Sequence, residues 1–284
     1  MQLRQWMFVV ALALGLSGLA HAFGTLGVRQ EASQLVTGTI EINAAGAVTG
    51  FTVNERERLS ANVAAYLDNT VPTWRFEPVL VDGKPVAARS DMSMRLVLKP
   101  AEGNNYALSV RGIHFGMANR HDGSYAKAVR LDPPPFPRDA LVKSGSAAVY
   151  LIVKVGRDGK VEDAVAEQIN LLGYGARSYA SSLRKEFEVA SIKHARNEWK
   201  FAPPTVGDAA DDAYWTVRVP VIFRVGRDAP RGGWEVYEPG PRREIPWQVP
   251  QEAPGFSPDS LPEGTHLAGE AGGLKLLSTQ GGMP

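Results

Sequence analysis

One aromatic motif occurs twice in this chain, and it constrains the fold more than any other feature. Trp74-Arg75-Phe76-Glu77-Pro78 and Trp199-Lys200-Phe201-Ala202-Pro203 share the order aromatic, basic, aromatic, any residue, proline, and they lie 125 positions apart. The same offset lays Met94, Leu96 and Leu98 over Val219, Val221 and Phe223, so a second alternating segment falls into register. Upstream, residues 38–53 resemble 151–166 at an offset of 113. There Ile40 and Ile42 meet Val153 and Val155, Gly46 meets Gly159, and Val48 meets Val161. The second copy therefore carries twelve extra residues between its hairpin and its tryptophan. Self-similarity at long range is the mark of a duplicated unit, and 284 residues suit two domains of ordinary size.

Each copy opens with two alternating runs separated by a turn. Asp158-Gly159 is a strong hairpin signal because both residues tolerate positive φ, and Asn43-Ala44-Ala45-Gly46 takes that place in the first copy. A helix is expected next. Leu59, Val63, Leu67 and Val71 form its apolar stripe in the first copy, with Pro72 ending it. In the second, Val189, Ile192, Ala195 and Trp199 form the stripe, extended by Leu183 and Phe187. Trp74 with Phe76 and Pro78, and Trp199 with Phe201 and Pro203, are read as structural residues that lock helix to sheet. A last strand completes each copy. The expected fold class is α+β: two small two-layer domains, each a short antiparallel β-β-α-β sheet with one helix packed on it. In the last strand, Trp215, Val217, Val219, Val221 and Phe223 alternate with Thr216, Arg218, Pro220, Ile222 and Arg224. Pro220 marks an edge strand, because proline has no N–H to give a ladder.

The remaining segments follow from composition. Arg4, an apolar run from Trp6 to Leu16, and Ala20-His21-Ala22 read as a cleavable signal peptide over residues 1–22, which places the mature chain in the periplasm. A retained inner-membrane anchor is the competing reading, since 5–28 holds no Asp, Glu, Lys or Arg. The diverged first domain spans 35–99, a connector 100–132, the second domain 133–226, and a Pro/Gly-rich tail expected to be disordered 227–284. Within the connector, Tyr106, Leu108 and Val110 alternate as a further strand of the first domain. Trp234, Trp247 and Phe256 stand out in the tail; local packing is favoured over docking on a partner.

Several kinds of chemistry are disfavoured. Apolar residues at 44% and charged residues at 21% describe a folded protein, and a net charge of +1 gives no field to attract nucleic acid. Without cysteine there is no disulfide, thiolate nucleophile or Cys metal site. No Gly-x-Ser-x-Gly elbow, phosphate loop or His-Glu-x-x-His motif is present, so neither enzymatic activity nor a cofactor is expected. His114, His121 and Asp122 fit no metal-ligand spacing and read as a solvated loop, and His194 reads as a surface or boundary residue. Asp211-Asp212 and Glu162-Asp163 read as solvated turn and strand-end carboxylates.

At this point the second copy resembles a known family, the C-terminal domain of the energy transducer TonB. Pro135-Phe136-Pro137-Arg138-Asp139-Ala140 resembles the family's opening Pro-aromatic-Pro-x-x-Ala, and 149–165 its first hairpin, with Asp158-Gly159 at the turn. Trp199-Lys200-Phe201-Ala202-Pro203 and Val219-Pro220-Val221-Ile222-Phe223 complete the pattern; the first copy, over 36–99, matches more weakly. The resemblance implies binding of an extended segment from an outer-membrane receptor, in the service of transport, by adding it as a strand to the 215–225 edge. The implied partner is a protein or peptide of the cell envelope. Homodimerisation through the same edges is the structural alternative. A membrane-anchored transducer is the third: Ser17 and His21 have that protein's Ser-x-x-x-His spacing, but the long proline-rich spacer is missing, since 23–34 holds no proline.

Overall fold

The computed structural model describes residues 30–100, 106–116, 123–226, 233–268 and 274–278. The expected signal segment, with Ser17 and His21, lies outside the described residues, as do His121 and Asp122. The fold is α+β, with mostly antiparallel strands in several sheets and two main helices.

The first half runs β1 (Glu31–Ile42), β2 (Val48–Val53), α1 (Ala61–Thr70), β3 (Arg75–Phe76), β4 (Val79–Val81), β5 (Lys84–Val86), β6 (Ala88–Pro100) and β7 (Tyr106–Phe115). The second runs β8 (Lys127–Arg130), α2 (Arg138–Val142), β9 (Ser146–Gly156), β10 (Val161–Gly173), α3 (Ala180–Glu198), β11 (Lys200–Ala202) and β12 (Tyr214–Phe223). Three short strands follow: β13 (Glu235–Tyr237), β14 (His266–Leu267) and β15 (Leu276–Ser278). The first large sheet has the order β13-β1-β6-β7, with β2 also on β1, and the second has the order β10-β9-β12-β14. As the alternation of Tyr106, Leu108 and Val110 predicts, the connector supplies β7 to the first sheet.

The two hairpins explain why the Trp-basic-Phe motif sits where it does. In both turns a short polar side chain bonds the backbone two residues on. Asn43 Oδ1 accepts the Ala45 and Ala47 N–H groups, each at 3.0 Å, and Asp158 Oδ1 accepts the Lys160 N–H at 3.0 Å. Gly46 and Gly159 then take φ of 77° and 75°, a region open to glycine. The carbonyl of Gly46 accepts the Phe76 N–H at 2.9 Å, and that of Gly159 accepts the Phe201 N–H at 2.8 Å. The chain after each helix is thus tied to the turn before it, and Trp74 and Trp199 are buried beside their helices. The Trp199 indole donates to the Asp132 carbonyl at 2.8 Å, whereas the Trp74 indole nitrogen has no hydrogen-bond partner among the described residues.

Side-chain periodicity sets the packing. Val63, Leu67 and Val71 bury against Ile40, Met92, Met94 and Leu96, and the Ser60 Oγ caps α1 by accepting the Val63 N–H at 3.4 Å. In α3 the buried line is Leu183, Phe187, Ser191 and Ala195. Val189, expected on that stripe, is instead 51% exposed, because it lies two positions from both Phe187 and Ser191 and so faces the opposite side of the helix. The last strands also pair differently from the offset alignment. Ile40 faces Ser90, whereas its counterpart Val153 faces Val217 rather than Trp215, a slip of two residues. An even slip keeps every side chain on its own face.

The tail corrects the expectation of disorder within its described residues. β13 pairs with β1 at residues 31–33, and Glu238 exchanges backbone bonds with Leu171 of β10 at 2.7 and 3.0 Å. A 3-10 turn at Pro258–Ser260 lies between the sheets. There the Ser260 carbonyl accepts Ser93 Oγ at 2.6 Å, and the Asp259 carbonyl accepts Arg95 Nε at 2.8 Å. Gly112 permits this approach, since a Cβ there would come within 2.4 Å of the Ser257 Cβ. β14 then adds to β12, and β15 pairs with β3. The sheet faces turned away from the helices therefore look at each other across the tail, and Arg95 of one reaches Tyr150 of the other.

Candidate functional site

β12 presents two faces and two backbone rows. Trp215, Val217, Val219, Val221 and Phe223 point into the helix-side core with Phe187 and Trp199, so these side chains are packing residues and only their strand's backbone is available to a partner. The other face carries Thr216, Arg218, Pro220 and Ile222, with Thr216 and Arg218 buried. One backbone row is paired with β9 along the whole strand. The direction of the other row follows from one bond: the Thr216 carbonyl accepts the Ala268 N–H at 3.0 Å. Because backbone polar groups alternate along a strand, those of Arg218, Pro220 and Ile222 point the same way. Pro220 thus withholds a donor only from the outer row, as its placement near an edge requires.

The 215–225 segment is not the outermost strand. β14 lies beyond it, pairing Leu267 with Val217 and His266 with Arg218. Past Arg218 no strand covers the outer row among the described residues. That stretch opens on a cleft of about 650 Å³ between the sheets, lined by Tyr150, Pro220, Ile222, Arg224, Leu35 and Glu235.

A buried ionic cluster holds the strand's polar face. Glu167 binds Arg218 through both oxygens, at 2.6 and 3.2 Å, and also accepts Arg242 Nε at 2.8 Å. Glu252 accepts Arg218 Nη1 at 2.5 Å, and the Phe256 ring lies 4.7 Å from the Arg218 guanidinium carbon. Burial opposes the Arg218 charge, but Glu167 and Glu252 more than offset it, and its pKa is raised. Across the cleft, burial pushes the Tyr150 hydroxyl up to about 12 despite the nearby Arg95.

Two histidines meet over the same strand. His114 of β7 and His266 of β14 are buried, with ring centroids 5.2 Å apart at 86°, and Phe256 lies against His114. His266 Nε2 pairs with the Pro262 carbonyl at 2.9 Å. Burial, then His266 and Arg218, lower His114 to about 3; burial and Arg218 also lower His266. His114 is therefore a packed strand residue and not the loop residue its sequence context implies.

The other expected residues fall as follows. Asp158, Gly159, Trp74, Phe76, Trp199 and Phe201 build the turn-and-motif ties described above; Pro203 is half-buried and Pro78 exposed. His194 Nε2 shares the Asp132 carbonyl with Trp199, at 2.9 Å. Asp211, Asp212 and Glu162 are exposed. Among the described residues no group of three or more side chains is arranged to hold a metal ion, and no helix is long and apolar enough to cross a membrane. Trp234 packs on the first core and Trp247 Nε1 donates to Thr216 Oγ1 at 3.1 Å, so the tail aromatics dock on the chain's own domains. Glu167, Arg218, Asp259 and His266 are the members that sequence reasoning missed. The one available signal was Arg218, the single charged residue at the centre of an otherwise largely apolar β12; Glu167 lies among other polar residues of β10. Comparison of the chain with family models, curated proteins and solved structures finds no match.

Proposed function

We propose that this chain is an exported, TonB-like envelope protein, built from two diverged β-β-α-β copies, that binds an extended segment of an outer-membrane receptor or another envelope protein by strand addition to the outer row of β12. The observation that carries this reading is β14, a segment from a distant part of the chain that adds antiparallel to that row. Main-chain bonds of this kind supply affinity whatever the added sequence, and alternate side chains supply selectivity. The open row past Arg218 and the cleft beside it give a longer strand room to extend. No catalytic step and no cofactor enters the proposal.

Binding of a receptor-derived extended peptide to the mature chain is expected to shift the amide resonances of 216–222 and 266–268. Ile222→Pro removes an outward donor without touching the β9 ladder. It is expected to weaken binding about fivefold, the worth of one ladder bond, with little change in thermal midpoint. Unmoved amides at millimolar peptide would end this reading.

A second reading is favoured by β7. It is the last strand of its sheet, and among the described residues no strand pairs with its outer row over 106–110. Open rows of this kind also join chains into dimers. Sedimentation of the mature chain as a monomer at high concentration would remove that reading.

A further inference from the structure

We propose that β14 is a proton-released latch: the tail strand occupies the partner edge of β12 at neutral pH and leaves it when the His114–His266 pair takes up a proton. The inference rests on reading β12 as the strand-addition edge, and it names what regulates that edge.

The latch is small. β14 meets β12 at Val217 and Arg218, with one further bond from Ala268 to the Thr216 carbonyl. A two-residue strand contributes few ladder bonds, each worth about 1 kcal/mol net, so side-chain packing holds it. That packing centres on His266, which is 1% exposed and lies edge-on to His114. The hydrogen-bond partner of the His266 ring among the described residues is the Pro262 carbonyl and not a carboxylate. The His266 Nδ1 atom has no hydrogen-bond partner among the described residues.

The groups that face this pair favour neutral rings. The positive charge of Arg218 on β12 disfavours a proton on either ring, and that charge is itself engaged by Glu167 of β10 and by Glu252. Lys275, just before β15, lines the same small pocket as His114, Phe256 and Glu252. Ser93 of β6, opposite His114, is uncharged and donates to the Ser260 carbonyl. A proton on either ring therefore adds positive charge to a small, closely lined space beside Arg218, whose guanidinium already engages Glu252.

The direction follows from linkage. A histidine freed into water titrates near 6.5, whereas in the latched state His114 titrates at about 3 and His266 is also lowered. Between those values the open form binds a proton that the latched form refuses, so each pH unit of acidification favours opening up to tenfold per histidine. Stability of the latch is complete above about 6.5 and is lost as pH falls toward 3.

The test is amide exchange on the full mature chain with no partner present, corrected for the intrinsic rate. Between pH 7 and about pH 5, protection at Ala268 and at Arg218 is expected to fall at least tenfold, while the Val153 amide inside the β9 ladder is unchanged. His114→Phe and His266→Phe are each expected to remove much of that dependence, with the Val153 amide reporting that the second sheet remains folded. His114→Gln serves where the ring substitution disturbs packing. Equal protection at both pH values overturns the latch. So does undiminished pH dependence in both histidine variants, or a dependence abolished only by Glu252→Gln. Because no peptide is present, failure here leaves strand addition standing. A latch that opens without improving peptide capture instead counts against strand addition.

Discussion

Glu167→Ala is expected to destabilise the protein by about 3–5 kcal/mol, read as a fall in the denaturant midpoint, because it leaves a buried guanidinium without its main counter-charge. Arg218 and Glu167 have side chains 3% and 1% exposed. Removing the carboxylate strands Arg218 with Glu252 alone and also frees Arg242, which joins the tail to the second sheet. The double variant Glu167→Ala with Arg218→Met is expected to recover much of the loss, since an apolar pair of similar bulk needs no compensation. A Glu167→Ala protein as stable as the parent would show that water reaches this cluster and that the tail does not seal it.

Gly159→Ala is expected to cost about 3 kcal/mol, from three effects acting together. The residue sits at φ 75°, where a side chain is strained by about 1–3 kcal/mol. An added Cβ would lie 2.0 Å from the Phe201 carbonyl oxygen, so the chain must move apart. That movement breaks the bond from the Phe201 N–H to the glycine carbonyl, worth about 1 kcal/mol. Gly83→Ala is the control. It has the same backbone sign, φ 73°, but nothing lies within 4 Å of its added carbon, so strain alone is felt there. Similar thermal midpoints for the two variants would refute the tie between turn and motif.

Much of the architecture was legible because each unit's signals are local. The Asp-Gly turn, the four-residue stripe of α1 and the Trp-basic-Phe motif declare themselves within a few positions, and the structure shows them bonded to one another. Legibility failed where contacts are distant. β13, β14 and β15 are two or three residues long, too short for any periodicity, and exist only because partners elsewhere in the chain present open rows. The candidate edge was misjudged for the same reason: Pro220 correctly marks the outer row, but nothing near Thr216 announces that Ala268 will meet it. Arg218 and Glu167 read as ordinary polar positions of one-sided strands until the tail covers them. Val189 was placed on the α3 stripe by its spacing from Ile192, although Phe187 and Ser191, on either side of it, set the buried line.

The pairing of Glu31 with Tyr237 and of Phe76 with Leu276 has a kinetic consequence. The first large sheet and the small sheet of β3 each take a strand from far downstream in the chain, so both stay incomplete until those segments have been made. Loop closure over so long a separation is slow, and a slow final closure leaves unpaired strands exposed to association in the meantime. A nascent chain halted before Glu235 would therefore carry both helices and both hairpins, yet lack the segment that joins the halves.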